Sequence, residues 1–170
     1  MSNRPLLGIA PGASYGPAKK WPARNYAQAA QEIALQKNML VVIFGGAAEN
    51  ETAWEVKNNL FDVPVLDLTG KMELAQTLAV ISGLGLMLTN DSGLMHASAA
   101  LNVPTLAVFG STNPLTTSPL GKNVKILRKP VNCSPCLQPY CARGDYICLT
   151  NISPEEVIEQ SLPMLENKSD

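Results

Sequence analysis

The sequence predicts an α/β fold, namely a doubly wound, Rossmann-like parallel sheet with helices on both faces. Short apolar runs alternate with amphipathic helical patterns along nearly the whole chain, as they do in successive βαβ units. Several of the runs are continuously apolar, which is typical of strands buried on both faces of a parallel sheet. Because βαβ crossovers are right-handed, we expect these units to form one twisted sheet between two helical layers.

Six apolar runs are the predicted strands, and they leave room for a helix or a loop between each pair. In chain order they span 6–10, 39–44, 65–68, 86–89, 105–109 and 124–127. The helices between them follow from apolar residues at helical spacing. They are expected from a cap at Asn25, over 51–60, over 73–82, over 93–101, and from 154 to 165 after a cap at Ser153. The proline- and cysteine-rich segment 129–150 is expected to be irregular.

Length and composition limit the classes of protein that this chain can belong to. Its 170 residues fit one domain over 1–170, and its formal net charge of −1 excludes a polycation that coats nucleic acid. No run approaches the roughly 20 apolar residues of a membrane span, and no signal-peptide pattern opens the chain. We therefore expect a cytoplasmic protein. The 16% of charged residues lies below the roughly 25% of average domains, which indicates either an unusually large core or a surface that contacts a partner.

The distinctive residues of the chain fall in the loops that follow the strands. Five such loops, 11–22, 45–51, 69–72, 90–96 and 110–114, carry most of the glycines and polar side chains. In an open parallel sheet ligands bind at this edge, where helix N-termini also point. The clustering therefore predicts a site for a small anionic molecule.

Each motif in these loops, taken alone, is weaker evidence for a ligand site than the clustering of the loops at one edge of the sheet. Segment 69–71 lacks the further residues of a phosphate-binding P-loop, and no dinucleotide fingerprint surrounds Gly45. Lys19 and Lys20 suit phosphate neutralisation, although two surface lysines are an alternative. Asp91 is expected to cap the helix that begins at 93, and a cap with no other role remains an alternative.

His96 is the only histidine of the chain, and it lies four residues after Ser92. The spacing places both on one face of the helix near its N-terminus, although a packed structural histidine is an alternative. Ser92 is not expected to be a hydrolytic nucleophile, because no G-x-S-x-G motif surrounds it.

Four cysteines lie within sixteen residues, in the pattern Cys133-x2-Cys136-x4-Cys141-x6-Cys148. A structural zinc site, two disulfides and free thiols all remain open on this spacing. We interpret the segment as local scaffolding.

The loop motifs together resemble family 9 glycosyltransferases, and in particular the type II ADP-heptose:lipopolysaccharide heptosyltransferases of that family. The resemblance covers essentially the whole chain. It rests on Pro11-Gly12-Ala13, Ala18-Lys19-Lys20-Trp21-Pro22, Phe44-Gly45-Gly46, Thr89-Asn90-Asp91-Ser92-Gly93-Leu94 with His96, Phe109-Gly110-Ser111-Thr112 and Cys133-Ser134-Pro135-Cys136.

The resemblance implies the C-terminal, donor-binding half of a two-domain GT-B enzyme, with the N-terminal acceptor domain absent from this chain. Such enzymes transfer heptose from ADP-heptose, with inversion, to the inner core of lipopolysaccharide. They work at the cytoplasmic face of the inner membrane and need no cofactor or metal ion. The catalytic base is expected in the absent domain, so this chain alone is expected to be inactive.

The resemblance also implies roles for residues that bind the nucleotide. Lys19, with Lys20 as its neighbour, would bind the diphosphate. Glu51, with Glu49 as the second candidate, would accept hydrogen bonds from the ribose hydroxyls, and Met72 would pack against adenine.

A second group of residues is implied at the sugar and the phosphates. Asp91 would hold heptose hydroxyls. Ser92, Gly93 and Leu94 would donate backbone N–H groups to the phosphates, and His96 would support them. Two other functions remain alternatives: another GT-B enzyme such as a UDP-sugar 2-epimerase, and a non-catalytic nucleotide-binding module.

Overall fold

The computed structural model describes residues 4–166, which contain a six-stranded sheet in which all neighbouring strands are parallel. The strands are β1 (Leu6–Ala10), β2 (Leu40–Ile43), β3 (Val65–Asp67), β4 (Leu84–Asn90), β5 (Thr105–Phe109) and β6 (Val124–Arg128). Their spatial order is β3-β2-β1-β4-β5-β6, the doubly wound order of Rossmann-like folds. The predicted fold class is confirmed, and every predicted strand is found within two residues of its predicted limits.

The described residues also contain seven α-helices, five of which the sequence predicts. They are α1 (Ala23–Lys37), α2 (Asn50–Asn58), α3 (Leu74–Ser82), α4 (Gly93–Ala100), α5 (Pro114–Thr117), α6 (Ile147–Thr150) and α7 (Pro154–Glu166). The short helices α5 and α6 were not predicted, nor were two 3-10 turns at Pro17–Lys19 and Ala47–Glu49. Apart from α6, the segment 129–150 is irregular, as expected.

The two faces of the sheet pack against different helices because strand side chains alternate in direction. On one face, Leu7 and Ile9 of β1 join a large core with α1, α2 and α7. On the other face, Ala10 and Val42 pack with Ile81 of α3. The sheet is therefore the middle layer of three, which leaves its strand ends free to build a site.

The N-termini of two long helices test the caps that the sequence predicts. At α7 the N–H of Glu156 donates to Ser153 Oγ at 3.3 Å, and the N–H of Ser153 donates to Glu156 Oε2 at 3.1 Å. This reciprocal capping box confirms the predicted cap. The predicted cap at Asn25 is wrong, because the carbonyl of Pro22 already accepts the N–H of Asn25 and the helix begins at Ala23.

Among residues 4–166, no helix has both the length and the apolar composition that crossing a bilayer requires.

Candidate functional site

A cleft of about 870 Å³ opens at the carboxyl edge of the sheet, among the loops that follow β1, β2, β3 and β4 and beside α5. The order of the strands reverses between β1 and β4, and loops diverge from such a point to leave a crevice. Most of the predicted site residues line the cleft, namely Lys19, Glu49, Met72, Asp91, Ser92, Gly93, Leu94 and His96. Lys20 and Glu51 are not among its lining residues.

Lys19 and Asp91 form an ion pair across the cleft, although they are 72 residues apart in the sequence. Lys19 Nζ lies 2.7 Å from Asp91 Oδ2, and the side chains are only 14% and 5% exposed. The ammonium group also lies 4.9 Å from the ring centroid of Tyr15, whose hydroxyl donates to the carbonyl of Leu137 at 2.7 Å. These contacts hold the Lys19 charge in one place at the surface of the cleft.

Asp91 is held mainly by hydroxyl groups and by Lys19 rather than by the helix that follows it. Its Oδ2 accepts hydrogen bonds from Thr112 Oγ1 at 2.7 Å and from Thr117 Oγ1 at 3.4 Å. The residue at the N-cap of α4 is Ser92, whose side chain makes no capping hydrogen bond. The predicted role of Asp91 as a helix cap is therefore wrong, because its carboxylate is taken up by Lys19 and the threonines.

The N-terminus of α4 faces open space in the cleft. A Cβ atom built at Gly93 would meet no heavy atom within 4 Å, and Ser92 and Leu94 line the cleft on either side of it. Backbone N–H groups in a first helical turn have no partner within the helix and favour anions. His96, one turn further along, is exposed and lines the cleft, so the alternative of a packed structural histidine is wrong.

Asn90, at the end of β4, ties this loop to the loop after β1. Its Nδ2 donates to the carbonyls of Pro11 at 2.8 Å and Gly12 at 3.2 Å. Its Oδ1 accepts the N–H of Trp21 at 3.0 Å and the hydroxyl of Tyr26 at 2.9 Å. Burial raises the pKa of Tyr26, which keeps that hydroxyl a neutral donor. The amide of Asn90 is fully buried and makes every hydrogen bond of which it is capable, so it fixes the loops after β1 and β4 relative to each other.

The carboxylate of Glu49 lies against the loop after β1. Its Oε2 accepts the N–H of Gly46 at 2.8 Å, and a Cβ atom built at Gly12 would lie 2.0 Å from Oε1. Only glycine at position 12 allows this approach. Glu49 belongs to the 3-10 turn that precedes α2, whereas Glu51 is exposed on the first turn of that helix. Of the two candidate carboxylates, Glu49 is the one at the cleft.

Apolar side chains form another part of the cleft. Met72 is half-buried, lines the cleft and packs with Leu68 against the core that contains Phe44. A flat apolar group such as a nucleobase could lie against such a surface.

Some lining residues were not identified from the sequence. They are Ser14, Tyr15, Thr77, Thr116 and Thr117 among the polar ones. The last two belong to α5, and their signal was their position in the loop that follows β5, at the predicted ligand edge.

The four cysteines line a separate cavity of about 80 Å³. All four thiols are free; Cys133 and Cys136 are exposed and Cys148 is buried. Hydrogen bonds from the backbone, first that of Tyr146, lower the pKa of Cys141, and burial raises the pKa of Cys148. Within residues 4–166, no group of three or more His, Cys, Asp or Glu side chains is arranged to hold a metal ion.

Comparisons with known proteins agree on one family. The family model described as "Glycosyltransferase family 9 (heptosyltransferase)" matches residues 1–147. The chain is 34% identical to lipopolysaccharide heptosyltransferase 2 of Salmonella typhimurium, covering 98% of this chain and 49% of the relative. It is 36% identical to lipooligosaccharide heptosyltransferase 2 of Campylobacter jejuni, covering 98% and 53%.

A solved structure gives the same result at the level of the fold. The structure of ADP-heptose LPS heptosyltransferase II from Escherichia coli superposes with a TM-score of 0.86 at 32% identity. The match covers 100% of this chain and 49% of that one. The chain thus spans about half the length of the curated relatives that it matches.

Proposed function

Because this chain belongs to glycosyltransferase family 9, the heptosyltransferase family, we propose that it is the donor-binding half of an inverting heptosyltransferase. The proposed donor is ADP-heptose, and the proposed acceptor is the inner core of lipopolysaccharide. The observation that carries the proposal is the Lys19–Asp91 ion pair beside the open N-terminus of α4. The cleft therefore offers a cation and the backbone N–H groups of a first helical turn to one anionic ligand.

The diphosphate of the donor would lie between Lys19 and the first turn of α4. Departure of ADP places negative charge on the phosphate oxygens, so the groups that face them stabilise the transition state more than the ground state. Lys19 supplies the N–H donors of its ammonium group, and the N–H groups of Gly93 and Leu94 supply the positive end of the helix dipole. His96 lies on the same helix face one turn away, where it would support the phosphates.

The nucleoside would lie toward Glu49 and Met72. The carboxylate of Glu49 is fixed by the N–H of Gly46 and can accept hydrogen bonds from two ribose hydroxyls. Met72 offers an apolar surface for the adenine. Glu51 was the stronger candidate for the ribose on the resemblance alone, but its exposed position outside the cleft supports Glu49 instead.

The sugar would lie beside Asp91, whose carboxylate is already paired with Lys19. The pairing cancels a charge that would otherwise repel the diphosphate. Lys20 makes no contribution to the lining of the cleft, so Lys19 would carry the phosphate contact of the pair.

We place the catalytic base outside this chain. Inverting transfer needs a general base within hydrogen-bond reach of the acceptor hydroxyl, on the side opposite the leaving group. The carboxylates that line the cleft are Glu49, at the nucleoside, and Asp91, under the sugar and the diphosphate. The base and the acceptor surface would therefore come from an N-terminal acceptor domain, with the complete enzyme at the cytoplasmic face of the inner membrane.

Nucleotide selectivity tests the proposal. ADP should raise the melting temperature of the chain through preferential binding to the folded state, by more than UDP or GDP at equal concentration. A larger shift with UDP would contradict the heptosyltransferase proposal and favour an enzyme that uses UDP-sugars.

An assay of ADP release, with ADP-heptose and a truncated lipopolysaccharide acceptor, tests the division of labour. The chain alone should bind the donor and transfer nothing. Sustained release by the chain alone, abolished by Asp91→Asn, would show that the active site is complete here and that the base was misplaced.

A further inference from the structure

We infer that Thr112 is a positioning residue for sugar recognition: it holds Asp91 Oδ2, so that Asp91 Oδ1 is presented to the glycosyl group of the bound nucleotide. The inference rests on the proposed function, and it gives a role to a residue to which no motif assigned one and which does not line the cleft. Thr112 lies just after β5, is 6% exposed and is not part of the cleft surface.

The two oxygens of the Asp91 carboxylate have different surroundings. Oδ2 accepts hydrogen bonds from Lys19 Nζ and Thr112 Oγ1, each at 2.7 Å, and a longer one from Thr117 Oγ1 at 3.4 Å. Among the described residues, Oδ1 receives no hydrogen bond, although Asp91 lines the cleft. An ionised carboxylate accepts at both oxygens, so Oδ1 is the free acceptor for a hydroxyl of the ligand.

Lys19 cannot fix Asp91 by itself once a nucleotide is bound. In the proposed function the same ammonium group faces the diphosphate, and its three N–H donors are then divided between two anions. Thr112 is a neutral donor that does not face the phosphates. It therefore holds Oδ2 in place whether or not Lys19 turns toward the ligand.

The hydroxyl of Thr112 also differs from those of nearby threonines. Thr116 and Thr117 both donate to the carbonyl of Asn113, so their hydroxyls have a role within α5. The hydroxyl of Thr112 has Asp91 as its partner among the described residues, and no backbone carbonyl competes for it. A side chain kept only for packing would need no hydroxyl here, since valine has the same shape.

The closing experiment compares the affinities of ADP and ADP-heptose by calorimetric titration of the chain and its variants. Thr112→Val should weaken ADP-heptose binding about tenfold, on the scale of one hydrogen bond to a charged group, and change ADP binding by less than about twofold. Thr112→Ser restores the hydroxyl and should recover most of the loss. Ser111→Ala is the matched control, because its buried hydroxyl has no partner among the described residues and does not line the cleft.

The results separate the role of Thr112 from the proposed function of the cleft. An equal loss for both ligands, or no loss for either, would overturn the role of Thr112 while leaving the nucleotide site intact. Absence of ADP binding by the unsubstituted chain would overturn the proposed function itself, and this inference with it. If Thr112→Val does not fold, Thr112→Ala can replace it. This variant removes the hydroxyl together with the γ-methyl group, places no methyl group beside Asp91, and should show the same selective loss.

Discussion

The cleft and the cysteine-lined cavity lie among neighbouring loops, yet their charged side chains are held in opposite ways. In the cleft, Lys19 and Asp91 are nearly buried and come from loops 72 residues apart. Around the cysteines, the ion pair of Arg143 with Asp145 and the contact of Cys141 with Asp145 join residues at most four positions apart, and these are largely exposed.

The difference teaches which polar contacts of this chain define a ligand site. Long-range buried contacts hold charged side chains in one geometry before a ligand arrives. These side chains then lose little conformational entropy when the ligand binds, as a binding site requires. Local exposed contacts shape a loop but hold nothing toward a ligand. Substitutions in the cleft should therefore change binding or global stability, whereas the cysteine segment should respond locally.

The largest expected effect is at Asn90, whose amide joins the loops after β1 and β4. Asn90→Leu leaves four buried partners without their hydrogen bonds and should lower the free energy of unfolding by about 3–4 kcal/mol. Urea unfolding measures the change. Asn123→Ala, which removes an exposed amide contact with Asn102, is the control and should cost less than about 0.5 kcal/mol. Similar losses for both variants would contradict the distinction between buried and exposed contacts.

Next in size is the loss of the cation in the cleft. Lys19→Ala should weaken ADP binding by about 1.5–3 kcal/mol, the scale of a charge-assisted hydrogen bond. It should also lower stability, because it leaves the buried carboxylate of Asp91 without its counter-charge. Lys20→Ala removes the same charge one residue away but outside the cleft, and should have the smaller effect on binding. Equal effects of both variants in calorimetric titrations would return Lys19 to the status of a surface lysine.

A smaller effect is expected where a glycine permits the approach of Glu49. Gly12→Ala puts a Cβ atom where the carboxylate now lies, so Glu49 must move away from its bond with Gly46. We expect ADP to bind about five- to tenfold more weakly, through loss of the ribose contact. Gly83→Ala is the control, since its added atom meets only an ordinary contact at 3.5 Å. Unchanged ADP affinity in Gly12→Ala would remove Glu49 from the site.

The smallest effect is expected in the cysteine segment, where it concerns the reactivity of the thiols and not the binding of a ligand. Because hydrogen bonds from the backbone lower the pKa of Cys141, its thiolate forms at a lower pH than that of an ordinary cysteine. As the pH is raised, its alkylation should therefore begin at a lower pH. The pKa of Cys148 is raised by burial, so it should react later and need higher pH. Peptide mapping after iodoacetamide treatment at several pH values gives both rates. Faster labelling of Cys148 would show that the segment opens more than the structure indicates.

Much of the fold could be predicted because the strands are mostly apolar runs, of which β2 is continuously apolar, and such runs are visible in sequence. The cap at Ser153 was also visible, because its partner Glu156 lies three residues away. The start of α1 was not, because Pro22 is the N-cap residue and the helix begins at Ala23, before the polar residue Asn25 that resembles a cap. Local sequence patterns were thus enough to predict the strands and the long helices. The error at α1 arose where two possible helix starts lie close together.

The site was predicted as a set of loops, but its geometry was not. The pairing of Lys19 with Asp91, which are 72 residues apart, depends on the order of the strands in space, which places β1 beside β4. The choice between Glu49 and Glu51 depends on a 3-10 turn that periodicity does not reveal. Thr112 lies in the motif Phe109-Gly110-Ser111-Thr112, but the motif does not reveal that its hydroxyl donates to Asp91.

The most direct test of the central claim is to map bound ADP on the chain by NMR. In a titration of 15N-labelled protein, ADP should shift the amide signals of Gly46, Ser92, Gly93 and Leu94 in a saturable way, because these residues line the cleft. The amides of segment 129–150 that surround the cysteine cavity should shift little. Saturable shifts centred on that segment, or no shifts at all at high ADP concentration, would contradict the assignment of the cleft as the donor site.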